Sequence, residues 1–225
     1  MRAFLLIFIF AFISSIASRA SANGSFQSIT DLETRADLES AIPRLHMDFH
    51  GAARREADLT EARLRPSLGI RLNDWAILYA GYAWARDFYD QGGSAIEHRF
   101  FQRFTSRFAS HRAELFADAR LDARFVKGMP GVGFAFSLYG RASIRLGKSD
   151  LHLLVEDRAI FQLHNSRAGH TRGLEENRLF AGFGYSLGAS TVLRFGYMNR
   201  LLADRSYRMG HGIFVGPRMA FRTGR

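Results

Sequence analysis

His46-x-Asp48-x-His50 places three side chains able to bind a metal on one face of an extended segment. Imidazole and carboxylate suit Zn²⁺ or Ni²⁺, but such a site needs three or four converging ligands and no others declare themselves. A structural or solvated role is therefore assigned to the three, and no metal or other cofactor is expected. Glu97-His98-Arg99 cannot form an acid–base dyad, because alternation sends Glu97 and Arg99 to one side of a strand and His98 to the other. The stretch from His164-Asn165-Ser166-Arg167 to His170 and Arg172 brings Ser and His together. It reads as a polar loop facing water or lipopolysaccharide phosphates. No G-x-S-x-G, H-E-x-x-H or P-loop occurs, and a chain without cysteine has no thiol nucleophile. The reading is non-enzymatic, with a lipid-modifying barrel enzyme or a soluble periplasmic ligand-binding barrel as alternatives.

The chemistry that stands out is arginine. The chain has 29 Arg against two Lys, and a formal charge of +10. Such a charge ordinarily suggests nucleic acid, but here the arginines recur at i, i+2 or i, i+4 within alternating segments. No nucleic-acid partner is expected. The arginines assigned to one face are Arg44, Arg63, Arg65, Arg71, Arg99, Arg103, Arg107, Arg112, Arg120, Arg124, Arg141, Arg145, Arg158, Arg178, Arg194, Arg200, Arg218 and Arg222. Asp48, Glu61, Glu97, Glu114, Asp118, Asp122 and Glu156 join them.

The elements that carry these residues have period two. Over 112–125, Arg112, Glu114, Phe116, Asp118, Arg120, Asp122 and Arg124 alternate with Ala113, Leu115, Ala117, Ala119, Leu121, Ala123 and Phe125. A helix has no use for that pattern. Similar segments at 42–53, 59–72, 75–86, 95–107, 132–146, 151–163, 177–187, 190–202 and 210–222 make ten strands. Their lengths suit a tilted bilayer crossing. Asn73-Asp74, Ser110-His111, Gly147–Asp150 and Gly188–Ser190 are tight turns, whereas Arg86–Ser94, His164–Glu176 and Ala203–Met209 are longer and polar. Short turns on one side and longer loops on the other predict an antiparallel, up-and-down transmembrane β-barrel with both ends of the chain on the turn side.

Each arginine turned toward mid-membrane lipid would cost about 2–4 kcal/mol, so the charged face must line the lumen. A barrel of about ten strands is narrow, and a structural ion-pair network filling it is the first reading. The second is that surplus arginine recruits small anions through its fork-shaped match to carboxylate and phosphate. A two-residue Ser110-His111 turn predicts four opposed pairs: Arg107–Glu114, Arg103–Asp118, Arg99–Asp122 and Glu97–Arg124.

Arg2, the apolar run Ala3–Ile13 and Ala20-Ser21-Ala22 form the pattern of a cleaved export signal, residues 1–22. Residues 23–41 lack clean alternation and are a periplasmic segment, a plug or an extra strand. Residues 42–225 form the barrel. The blocks LRPSLGIRLNDWAILYAGYAWA (64–85), EHRFFQRF (97–104), LVEDRAIFQL (154–163) and ENRLFAGFGYSLGASTVLRFGYMNR (176–200) resemble one bacterial domain-of-unknown-function family of short, predicted outer-membrane β-barrels. The resemblance runs from Leu59 to Phe221. It implies an exported barrel and no established reaction; an outer-membrane barrel is in turn expected to contact lipid and lipopolysaccharide and to be inserted by the barrel-assembly machinery. Many such barrels end in an aromatic residue, whereas here Phe221 is followed by Arg-Thr-Gly-Arg.

Overall fold

The computed structural model describes residues 27–37, 44–56, 59–90, 92–163, 172–188, 191–203 and 207–223. The expected export signal, 1–22, and most of the Ser/His loop, 164–171, lie outside them. Among the described residues eleven strands close into a barrel: β1 (Gln27–Asp37), β2 (Leu45–Glu56), β3 (Leu59–Asn73), β4 (Ala76–Tyr89), β5 (Ser94–Ala109), β6 (Ala113–Val126), β7 (Gly133–Arg145), β8 (Leu151–Gln162), β9 (Gly173–Ser186), β10 (Thr191–Ala203) and β11 (Tyr207–Thr223). From β2 to β11 the strands run up and down, each antiparallel to the next, and these are the ten that the alternation marks out.

The closure differs from a ten-strand ring. β1 lies between β2 and β11, antiparallel to the first and parallel to the second, with Asp31 opposite Arg218 and Ala36 opposite Thr223. An odd number of alternating strands can close only through one parallel pair, and β1–β11 is that pair. Gln27 therefore sits opposite Glu56, at the loop end. The described chain begins and ends on opposite sides of the barrel, not on one side as the ten-strand count implies.

Three local boundaries also shift. β4 and β5 zip together as far as Phe88–Ser94, so the connection expected as a long loop is a short turn. Gly92 and Gly93 give that turn its positive φ angles, 91° and 98°. β9 starts at Gly173, not 177, and carries an irregularity opposite Ile160/Phe161. Arg44 adopts φ 66° in an exposed turn and is not lumenal.

The β5–β6 register corrects the expected one. Ser110 and Ala113 close the turn through a backbone hydrogen bond of 2.8 Å, so the two-residue loop is His111-Arg112. The Ser110 hydroxyl secures it by accepting from the Ala113 amide at 3.0 Å. Arg103 then lies opposite Arg120, and Arg99 opposite Arg124. Strand parity survives this slip of two, so each side chain keeps its face.

The barrel is polar inside and apolar outside. Among the described residues the buried set holds nine hydrophobic side chains and fifteen polar or charged ones, including Arg65, Arg99, Arg103, Arg120, Arg194 and Arg200. Leu64, Leu68, Ile70, Phe100, Leu115, Leu138, Val155 and Tyr197 are among the large apolar side chains left facing out. An apolar surface of that extent is compatible with lipid rather than water. Trp75 stacks on Phe108 at 5.2 Å at the turn end, and Phe100 meets Tyr82 and Phe125 toward the loop end, where interfacial aromatic rings belong.

Candidate functional site: the arginine-lined lumen

The lumen is built of three layers. At the turn end Glu114 is shared by Arg107, whose Nε donates at 3.0 Å, and by Arg141. At the loop end Glu97 accepts from Arg99 Nη2 at 2.5 Å and from Arg124 Nε at 2.5 Å. Arg124 also reaches Glu175 at 3.0 Å, and Glu175 accepts from Gln162 Nε2 at 2.6 Å. Across the barrel Glu176 joins Arg178 to Arg200, the latter at 2.5 Å. Between the ends, Arg103 pairs with Asp48 and lies 3.7 Å from Asp118, Arg120 binds Asp122 at 2.9 Å, and Arg194 binds Glu156 at 3.0 Å.

Three of the four expected contacts are therefore made, although none between directly opposed residues. Arg107–Glu114, Arg103–Asp118 and Glu97–Arg124 form on the diagonal, within reach of long side chains. The fourth, Arg99–Asp122, does not form. Arg99 turns to Glu97 and Asp122 to Arg120, each a neighbour two residues along the same strand. Arg145 is exposed at the end of β7, outside the network, and Arg112 sits in the exposed turn.

His46 and Asp48 are buried in the lumen with His50 above them. His46 Nε2 accepts from Arg71 Nε at 3.1 Å, and Asp48 is taken by Arg103. Among the described residues no three His, Asp or Glu side chains are grouped to hold a metal ion. His98 faces outward, as alternation requires, and pairs with the Tyr82 hydroxyl. Asp157 also faces outward and accepts from Asn177 Nδ2 at 2.9 Å.

Sequence reasoning missed two parts of this lumen. Glu175 and Glu176 fell in a supposed loop, and the β9 irregularity brings both acids to arginines. The second part is aromatic. Tyr79 lies over Gly69 and Phe101 over Gly81, each across a strand pair, where any Cβ would collide with the ring. Phe180 lies beside Gly182 and Gly196, whose backbones are too close for a methyl group, and meets Phe214 edge-on at 5.5 Å. These rings become seats for guanidinium groups. Arg103 sits 4.3 Å from Tyr79, Arg158 5.0 Å from Tyr139, Arg194 5.1 Å from Phe214, Arg141 5.5 Å from Phe116, and Arg120 and Arg65 5.7 and 5.9 Å from Phe101. Such stacking contributes about 0.5–2 kcal/mol each and leaves the N–H edge free to bind. A chance to see it lay in the lumenal aromatics on charged faces, such as Phe116 and Tyr139.

At mid-height a cavity of about 140 Å³ remains, lined by five arginines, Arg65, Arg103, Arg158, Arg178 and Arg194, and three acids, Asp118, Glu156 and Asp157, among others. Arg158 of β8 lies opposite Arg178 of β9, which lies opposite Arg200 of β10, so three arginines stand abreast on one wall.

Residues 20–209 match the model of a family described as "Protein of unknown function (DUF2490)". An uncharacterized protein of Methylorubrum extorquens (strain AM1) is 24% identical over 147 residues, 64% of each chain, so the match spans 64% of that relative's length. Among solved structures, the KdgM porin in complex with disordered oligogalacturonate is similar with a TM-score of 0.47 and 10% identity, over 85% of this chain and 97% of that one.

Proposed function

We propose, on the premise that the chain belongs to the DUF2490 family of proteins of unknown function, that it is a non-enzymatic outer-membrane barrel whose lumen admits small anions in preference to cations. The observation that carries this reading is the placement of arginine beside arginine. Arg99 faces Arg124, Arg103 faces Arg120, and Arg158, Arg178 and Arg200 stand in one row. Like charges directly opposed in a sheet are unfavourable. Acids relieve most of them without cancelling the positive field along the lumen. The apolar belt is the surface that outer-membrane lipid would cover, with lipopolysaccharide at the loop end. Insertion would fall to the barrel-assembly machinery, and the leader pattern at 1–22 would deliver the chain to it.

The test is current through a planar bilayer under a KCl gradient. The reversal potential should favour chloride, and Arg178→Gln should move it toward zero. A cation-favouring potential, or no current from correctly folded protein, would overturn the passage and leave a filled, structural barrel.

A further inference from the structure

We infer that the mid-lumen cavity is a binding site for a compact oxyanion bearing two negative charges, held between Arg65 and Arg158. This deepens the anion reading above and rests on it. The two arginines come from opposite walls: going round the closed barrel, β3 and β8 are five strand steps apart one way and six the other. Both nevertheless line the same cavity of about 140 Å³. Room for several waters or one small solute lies between them.

What distinguishes these two arginines is the absence of a carboxylate. Among the described residues neither has an acid within ion-pair distance, whereas Arg99, Arg103, Arg120, Arg124, Arg194 and Arg200 all do. The nearby acids are engaged, Asp118 beside Arg103 and Glu156 with Arg194. Arg65 is only 8% exposed, and the charges within its electrostatic reach are three cations, Arg120, Arg103 and Arg158, against one acid, Asp118, which lies beside Arg103 and outside ion-pair distance of Arg65. Each guanidinium lies over a ring, Arg65 over Phe101 at 5.9 Å and Arg158 over Tyr139 at 5.0 Å, a contact that engages the face of the group and not its N–H edge.

A buried positive charge without a counter-charge is costly. An anion offering oxygens on two sides would satisfy both forks at once, and carboxylate and phosphate match that geometry. A monovalent ion would neutralise one arginine and leave the other.

The experiment is isothermal titration of the purified full-length barrel in detergent micelles with inorganic phosphate, succinate and chloride separately. Phosphate, succinate or both should bind saturably at one site per barrel and at least tenfold more tightly than chloride. Arg65→Gln and Arg158→Gln should each weaken that binding at least tenfold, with folding confirmed by gel mobility before and after boiling. Lys148→Gln, in the exposed 147–150 turn, should leave it unchanged. Which probe binds separates a dicarboxylate from a phosphate source. No saturable binding by either, equal affinity for chloride, or binding undiminished in both variants would overturn the site. Chloride-selective current without phosphate or succinate binding defeats the site alone. Binding without current defeats the passage alone.

Discussion

The ends of the lumen and its middle handle the same side chain in different ways. At the loop end Glu97 is held by two arginines and Glu175 reinforces one of them; at the turn end Glu114 is likewise held by two. In the middle Arg65 and Arg158 lie on aromatic rings and face open space. Ion pairs at the ends stitch neighbouring strands together, which is a structural task. The seats under Arg65 and Arg158 hold their guanidinium groups in position without neutralising them, which is what recruitment of an outside charge requires, whereas Arg103, Arg120 and Arg194 rest on rings at the same level and are also paired with acids. The abundance of arginine alone does not reveal this difference; the partner of each arginine does.

The most severe way to break the comparison is to remove the shared acid at the loop end. Glu97→Gln leaves Arg99 and Arg124, with side chains 11% and 10% exposed, short of their common counter-charge. Loss of one member of a buried pair costs about 3–5 kcal/mol, and Glu175 holds the effect at the lower end, about 3 kcal/mol. Arg65→Gln removes a charge that has no acid to lose; the lost contact with Phe101 is offset by relief of burial and of repulsion from Arg120, Arg103 and Arg158, so it should cost less than about 0.5 kcal/mol or stabilise. Urea unfolding in lipid vesicles, followed by tryptophan fluorescence, measures both. Equal destabilisation by the two variants would erase the distinction between ends and middle.

The next prediction concerns how the rings are seated. Gly182 and Gly196 approach so closely that a methyl on either meets the backbone of the other strand, with Phe180 alongside. Gly182→Ala should therefore cost about 1–3 kcal/mol, the usual range for overpacking. Gly140 has no atom within 4 Å of a would-be Cβ, so Gly140→Ala should change stability by no more than about 0.5 kcal/mol. The same unfolding measurement decides it, and a neutral Gly182→Ala would show that Phe180 is not seated on a close glycine pair.

How much of this was legible in the chain follows from the range of each signal. Which face a residue takes is local, so β6 is readable side chain by side chain over the thirteen positions 113–125, Phe116 among the charges included, and fails only at Arg112, which the turn takes. Register depends on one residue of turn chemistry. Ser110 as the residue closing the loop, rather than the first residue within it, shifts every β5–β6 partner by two. Glu175 and Glu176 were hidden because an irregularity breaks the period at the start of β9. β1 alternates only over its second half, Asp31, Glu33, Arg35 and Asp37 against Leu32, Thr34 and Ala36, a run too short and too unclean at its start to stand out, and its place becomes apparent from the two strands it joins. The ring-on-glycine seats cross strand pairs, and no single strand displays them.

The smallest effect lies on the outer wall and tests the direction of the whole inside–outside assignment. Asp157 is a carboxylate turned outward from the middle of a strand, opposite Gly140 and bonded to Asn177. Charged groups on the lipid face destabilise according to depth, acids less than bases. Asp157→Asn keeps an oxygen for the Asn177 donor and removes the charge, so it should raise stability in vesicles by about 0.5–1 kcal/mol. In the lumen the opposite sign holds: Glu97→Gln, also an acid-to-amide change, destabilises because arginines depend on that charge. If Asp157→Asn instead destabilised the barrel to a similar degree, the outer wall there would contact a cation rather than lipid, and the division into a polar interior and an apolar exterior would fail at β8.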